Sequence, residues 1–239
     1  MNAVLDPGRI AKPGMRRRKG WLDMVFNRSA SPTLCQPFLE SLPVARAAIS
    51  TLQDPFDVET VCATDALAAR LDELQIDLGE GPCWQALSTR SPVLITVERA
   101  SSSAWPSLSS AIAASGIHSV FAFPLIVGAL GIGAVDLYLE TPEPLTPADI
   151  GHAETLAGIA AMQVLNQAME RRPGEDGGTF TESPYSRREV HQATGMVVAQ
   201  AKVSPADALL LIRARAFAEG LPVREIAAQI IDRRISFQL

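Results

Sequence analysis

The sequence predicts an α+β domain, an antiparallel sheet with helices to one side, followed by an all-α bundle of three helices. Three observations predict it. Short segments rich in β-branched residues, namely Val44 to Ser50, Val58 to Ala63, Val93 to Val97, Ser119 to Val127 and Ile132 to Tyr138, alternate with helical segments. Residues 171–184 are dense in Pro and Gly, which break helix and sheet alike. Beyond them every apolar period is helical.

Residues 1–30 read as a basic, poorly ordered N-terminal arm, because no apolar period is sustained among their Arg, Lys, Pro and Gly. The first domain is 31–170. In it Asp65 caps a helix through Leu74, and Ser107 to Ser115 form a helix that Gly116 closes. Gly128 to Gly131 turn one strand into the next. Thr146-Pro147 opens a long alanine-rich helix to Glu170. After the 171–184 linker comes the second domain, 185–239. Helix A runs from Ser186 to Ala201, Ser204-Pro205 caps helix B, which ends at Gly220, and Pro222 opens helix C.

The chain is 47% hydrophobic and 20% charged, a globular composition that excludes a disordered or fibrous protein. Charge is unevenly spread. Residues 1–20 carry six basic and one acidic residue, 21–179 seven and nineteen, and 180–239 eight and six. An acidic middle beside a mildly basic C-terminal piece predicts two domains with different partners. Cys35, Cys62 and Cys83 form no C-x-x-C, so zinc ribbons and secreted disulfide scaffolds are excluded and reduced thiols are expected. The basic run Arg16 to Lys19 is followed by no continuous apolar core of the ~7 residues a signal peptide needs. Val120 to Val135 falls short of the ~20 residues of a membrane span and is broken by Pro124, Gly128, Gly131 and Gly133. A cytoplasmic protein with no membrane partner is the expectation.

Enzyme constellations are weak. His152-Ala153-Glu154 matches the H-x-E of zinc deaminases, but the required downstream P-C-x-x-C is missing and Pro82-Cys83 lies upstream. Gly128 to Gly133 spaces its glycines unlike a dinucleotide loop and lies between strands. Acidic pairs such as Asp72-Glu73 read as a solvated helix face. Cys83 follows Gly79-Glu80-Gly81-Pro82 in the first turn of a helix, where the dipole favours thiolate. A nucleophile or ligand role stands against a buried structural thiol, and no His/Asp partner pattern accompanies it. The chain is expected to be no enzyme, with no metal and no cofactor.

Gly79-Glu80-Gly81-Pro82-Cys83, Trp105-Pro106, the run Gly116 to Leu125 and Gly133-Ala134-Val135-Asp136-Leu137-Tyr138 resemble the GAF domain of actinobacterial regulators over about 35–170. The resemblance implies a GAF/PAS-like antiparallel sheet with flanking helices that senses an unknown small-molecule or protein signal. Arg188 to Val198, Ser204 to Leu209, Ile212-Arg213 and Val223 to Ala227 resemble an ANTAR domain over 185–239. That resemblance implies a three-helix bundle that binds RNA stem-loops in nascent transcripts and acts in transcription antitermination. One departure is Thr194, where many ANTAR domains have Lys.

Helix A supports this reading by its own pattern. At 100° per residue, Val190, Ala193, Val197 and Ala201 share a core stripe, while Arg188, Gln192, Gly195 and Ala199 fall opposite, with His191 at the edge. A Gly/Ala floor bordered by Arg, Gln and His lets a nucleic-acid backbone approach. The candidate RNA-binding residues are Arg188, His191, Gln192, Thr194, Gly195 and Arg213, with Arg215 a further phosphate candidate. The alternative is a DNA-binding or protein-interaction regulator using the same helices. In helix B, Leu210, Ala214 and Phe217 form a second apolar stripe expected to meet the sensor or a second subunit. In the long helix, Leu156, Ile159, Ala160 and Val164 are expected to cover the sheet. The displaced stripe Ala153, Ala157, Ala161 and Leu165 is expected to stay open and form a homodimer.

Overall fold

The structure is a computed structural model that describes residues 34–96, 105–170 and 185–237. The arm and the linker expected at 1–30 and 171–184 lie outside these residues. Five strands, β1 (Arg46–Thr51), β2 (Glu59–Ala63), β3 (Val93–Thr96), β4 (Ser119–Val127) and β5 (Leu130–Leu139), form one antiparallel sheet in the order β2-β1-β5-β4-β3. β4 and β5 meet at the Gly128-Ala129 turn, which disposes of the dinucleotide-loop alternative.

The helices of the first domain are α1 (Gln36–Ser41), α2 (Ala66–Leu78), α3 (Pro82–Thr89), α4 (Pro106–Ser115) and α5 (Pro147–Glu170). They cover both faces of the sheet, not one. Side chains alternate along a strand. Val135, Leu137 and Leu139 of β5 therefore pack with Phe38 of α1 and with Ala153, Ala157 and Val164 of α5. Tyr138 and Ala134 point the other way, toward α2, α3 and α4. β5 is buried on both sides, so a second helical layer is required to cover it.

Two expectations are corrected here. Cys35 and Cys62 are joined in a buried disulfide with Cα atoms 6.2 Å apart, and Cys83 alone is free. Their 27-residue separation gives no sign that α1 carries Cys35 onto the sheet beside β2. In α5 the buried residues are Ala153, Ala157, Ala160, Ala161 and Val164, so the stripe expected to stay open faces the sheet. Ile159, with Met162 and Met169, is left outside, 51% exposed. Alanine on the buried stripe lets the helix approach the sheet closely, and the larger side chains are displaced outward.

The C-terminal bundle is α6 (Arg188–Ala201), α7 (Pro205–Glu219) and α8 (Val223–Ile231). Ser204 caps α7 by accepting from the Asp207 N–H. The core joins Val190, Ala193 and Val197 of α6 to Ala208, Ile212 and Ala216 of α7 and to Val223, Ile226 and Ile230 of α8. Among the described residues no single helix is long and apolar enough to cross a membrane.

Candidate nucleic-acid interface

Helix α6 buries Val190, Ala193, Val197 and Ala201. That turns Arg188, His191, Gln192, Gly195 and Ala199 to solvent together, as the helical period requires. A Cβ placed on Gly195 would meet nothing within 4 Å. Its small size therefore leaves open surface and serves no packing among the described residues. Thr194 lies to the side, half-buried, and donates its hydroxyl to the Val190 carbonyl at 2.7 Å. Its side chain thus satisfies the helix's own backbone, a habit of Thr inside helices.

Arg213 is not brought to this face. Its guanidinium reaches the sensor domain and donates from Nη2 to the Ile76 carbonyl at 2.9 Å. That carbonyl belongs to the last turn of α2, where the helix dipole favours a cation. Gly79 closes α2 with φ of +70°, and a Cβ there would sit 3.0 Å from Arg213 Nη1. Burial, aided by the neighbouring charge of Arg187, lowers the pKa of Arg213 from its ordinary value.

Arg213 is one part of a larger contact that the sequence did not disclose. Arg187, only 5% exposed, donates from Nη2 to Asp77 Oδ1 at 2.7 Å. The other oxygen of Asp77 accepts the Val223 N–H at 3.0 Å and so caps α8, whose own N-cap residue, Pro222, offers no side-chain oxygen. Glu73 lies 3.9 Å from Arg187 and 3.7 Å from Arg224, which also pairs with Glu189. The acidic outer side of α2, read from sequence as solvated, is thus a dock for the bundle. The sequence offers the i,i+4 spacing of Glu73 and Asp77 on one face of α2, a pattern that a solvated face also permits.

The inner side of α2 is also buried. Asp72 is 0% exposed and accepts from the Thr60 hydroxyl, and burial pushes its pKa up to about 6. Gln75 donates to Asp136 of β5 and accepts the Cys83 N–H at 3.2 Å. Burial, then the charge of Asp72, raises the Asp136 pKa well above its ordinary value. Cys83 is fully buried, and burial followed by the charges of Asp136 and Asp72 raises its pKa. Of the two readings of Cys83, the structure shows the buried structural thiol, since an apolar wall and two nearby carboxyl groups outweigh one helix terminus. No group of three His, Cys, Asp or Glu side chains suited to a metal lies among the described residues.

Eight basic residues lie in 180–239. Five are engaged: Arg187 and Arg213 at the dock, Arg224 with Glu189, Arg215 with Glu219 and Arg234 with Asp232. Among the described residues Arg188, Lys202 and Arg233 have no ion pair or side-chain hydrogen bond. Arg188 and Lys202 bracket α6 at its two ends. Leu210 and Phe217 of α7 are 63% and 71% exposed, so their stripe is not covered by the sensor among the described residues.

The GAF domain family matches residues 30–164 and the ANTAR domain family residues 181–231. No curated protein matches the chain. Among solved structures, a GAF domain/HD domain protein from Geobacter sulfurreducens is 18% identical, with 60% of this chain and 95% of that one covered and a TM-score of 0.47. The GAF domain of a two-component sensor histidine kinase from Bacillus halodurans is 11% identical, covering 60% and 98% at 0.44. A type II free methionine-R-sulfoxide reductase from Thermoplasma acidophilum is 17% identical, covering 60% and 94% at 0.43. The chain belongs to the GAF domain family and carries an ANTAR domain behind its sensor, which makes it a signal-responsive regulator of the GAF–ANTAR type.

Proposed function

We propose that the protein is a transcription antitermination regulator of the cytoplasm. In this reading its GAF domain receives a signal and its ANTAR bundle binds RNA stem-loops in nascent transcripts. Holding those stem-loops prevents a competing terminator from forming. The observation that carries the reading is the outer face of α6: Arg188, His191 and Gln192 stand beside an open Gly195, with unpaired cations at both helix ends. Over 14 residues the helix is ~21 Å long, enough to follow several phosphates of one strand. The test is binding of the full chain to short RNA hairpins with randomised loops, in competition with duplex DNA. Selective retention of RNA is expected, and preference for the duplex would hand the bundle to the DNA-binding alternative.

The signal has a direct route in this arrangement. Helix α2 shares its inner face with the buried Asp72–Gln75–Asp136 cluster and its outer face with the dock, so a ligand that shifts α2 shifts the bundle.

The protein acts as a homodimer through α5. His152, Thr155, Ile159, Met162, Asn166 and Met169 are all exposed and follow one another by three and four residues in turn, the spacing of a coiled-coil seam. Ile159→Glu should convert the dimer to monomer in light scattering and weaken binding to tandem hairpins more than to single ones. A wild-type chain that stays monomeric at micromolar concentration, with and without RNA, would refute the dimer.

A further inference from the structure

Beside the open face of α6 lies a groove of about 430 Å³, lined by Met196, Ala199 and Gln200 of α6 and by Arg233, Ile235 and Ser236 after α8. We propose that this groove is a subsite for a single unstacked nucleotide of the RNA loop, with its base between Met196 and Ile235 and its phosphate on Arg233. The proposal rests on the RNA reading above and adds a site that the α6 pattern alone does not contain.

Four observations carry it. The groove continues the α6 face, since Ala199 is both the last small residue of the Gly195/Ala199 floor and part of the groove wall. Its walls suit a base. Met196 and Ile235 are each only partly covered by the bundle core, leaving apolar surface on two sides of the space. An extruded base can be held between apolar side chains and by hydrogen bonds to its edges. Gln200 supplies an edge contact of fixed polarity. Its Oε1 already accepts the Phe237 N–H at 2.9 Å, so its amide NH2 is the group left to donate to a ring nitrogen or carbonyl.

Arg233 is the fourth observation. It ends α8 with φ of +59°, a left-handed conformation that helix ends ordinarily give to glycine. The last turn closes around it, with the N–H groups of Arg234 and Ile235 both reaching the Gln229 carbonyl at 2.8 and 3.3 Å. Arg90, another arginine with positive φ in this chain, uses its guanidinium to hold the β4–β5 turn through the Gly128 and Ala129 carbonyls. Arg233 has no such partner among the described residues. A strained position that keeps a cation, when glycine would fit better, points to a contact outside the chain.

Arg233→Gly separates this role from a structural one. In the full chain it should raise the thermal midpoint, because glycine relieves the left-handed strain. It should also lower affinity for a hairpin pool with randomised loops by about tenfold and reduce the salt slope by about one unit. Ile235→Ser should lower affinity by a similar factor without changing the slope. An exposed control, Arg234→Gln, should change neither by more than about twofold. If wild type binds the pool and Arg188→Ala weakens it while Arg233→Gly does not, the subsite is refuted and the RNA reading stands. If wild type binds no hairpin, both fall. An altered oligomeric state in Arg233→Gly with unchanged hairpin affinity would assign the groove to a second copy of the chain and overturn the proposal.

Discussion

Helices α2 and α6 are both amphipathic and both carry charge on the side turned from their own core, yet they use it in opposite ways. The outer acids of α2, Glu73 and Asp77, are consumed by Arg187, Arg224 and the α8 N-terminus. The outer residues of α6 have been given almost nothing to hold. The difference teaches that a charged helix face is not one thing. Charge that is paired and desolvated builds the molecule, and charge left unpaired on a small-residue floor is available to a partner.

The comparison breaks most visibly at the dock. Asp77→Ala leaves Arg187 buried without its closest carboxylate and uncaps α8, and should destabilise the chain by about 3–5 kcal/mol in urea unfolding. Equal stability of mutant and wild type would show that the dock is a surface contact after all. A second probe is proton linkage on the other side of α2. The Asp72 pKa is raised from 3.8 to about 6, so between these values the folded chain keeps a proton that the unfolded chain releases. Stability is therefore greater on the acid side and is lost as pH rises through about 6. The full change for Asp72 alone is roughly 2–3 kcal/mol, about half of it above pH 5, and Asp136 and Glu73 shift in the same direction. Asp72→Asn keeps an acceptor for Thr60 and should shrink the difference between pH 5 and 7.5. A wild-type stability that climbs across that window would contradict the buried, protonated carboxyl.

On α6 the expected effects fall on binding and not on folding. Arg188→Ala should cost ~1–3 kcal/mol of hairpin affinity if Arg188 reads a base, or lower the salt slope if it meets phosphate, with unchanged unfolding. Wild-type affinity at every salt concentration would remove it from the interface. Gly195→Ala is the finest cut. Its Cβ enters open space, so helix propensity should raise stability by up to ~1 kcal/mol while a close-approaching RNA is pushed away. A loss of stability, or tighter RNA binding, would show that the floor is not a contact surface.

Much of the architecture was legible because it follows periodicity and caps. Asp65, Ser204, Gly116 and Gly220 mark helix ends by local chemistry, and the α6 stripe Val190–Ala193–Val197–Ala201 is buried as its spacing implies. What the sequence hid depends on distant partners. Arg187 and Arg188 are neighbours with the same side chain, and only the position of Asp77, 110 residues away, makes one structural and leaves the other free. The same limit concealed the Cys35–Cys62 bond, the burial of Asp72 and the transfer of Arg213 to the dock. In α5 the period was visible but its phase was not, because alanine suits an exposed surface and a close sheet contact equally well. Arg233 was overlooked for a different reason: it lies past the last periodic residue of its helix, where pattern reading stops.

The carboxylate that caps α8 has a consequence for how this protein can be taken apart. Helix α8 begins at a proline with no capping side chain, and the oxygen that satisfies its Val223 N–H comes from the sensor domain. An excised C-terminal fragment would lose that oxygen together with the Asp77 counter-charge of Arg187 and the Ile76 carbonyl that holds Arg213, while Arg224 would keep Glu189. Its first α8 turn would fray, and two arginines quiet in the intact chain, Arg187 and Arg213, would become cationic surface. Such a fragment would bind polyanions more strongly and less selectively than the whole molecule. Its affinity would measure the dissection as much as the recognition.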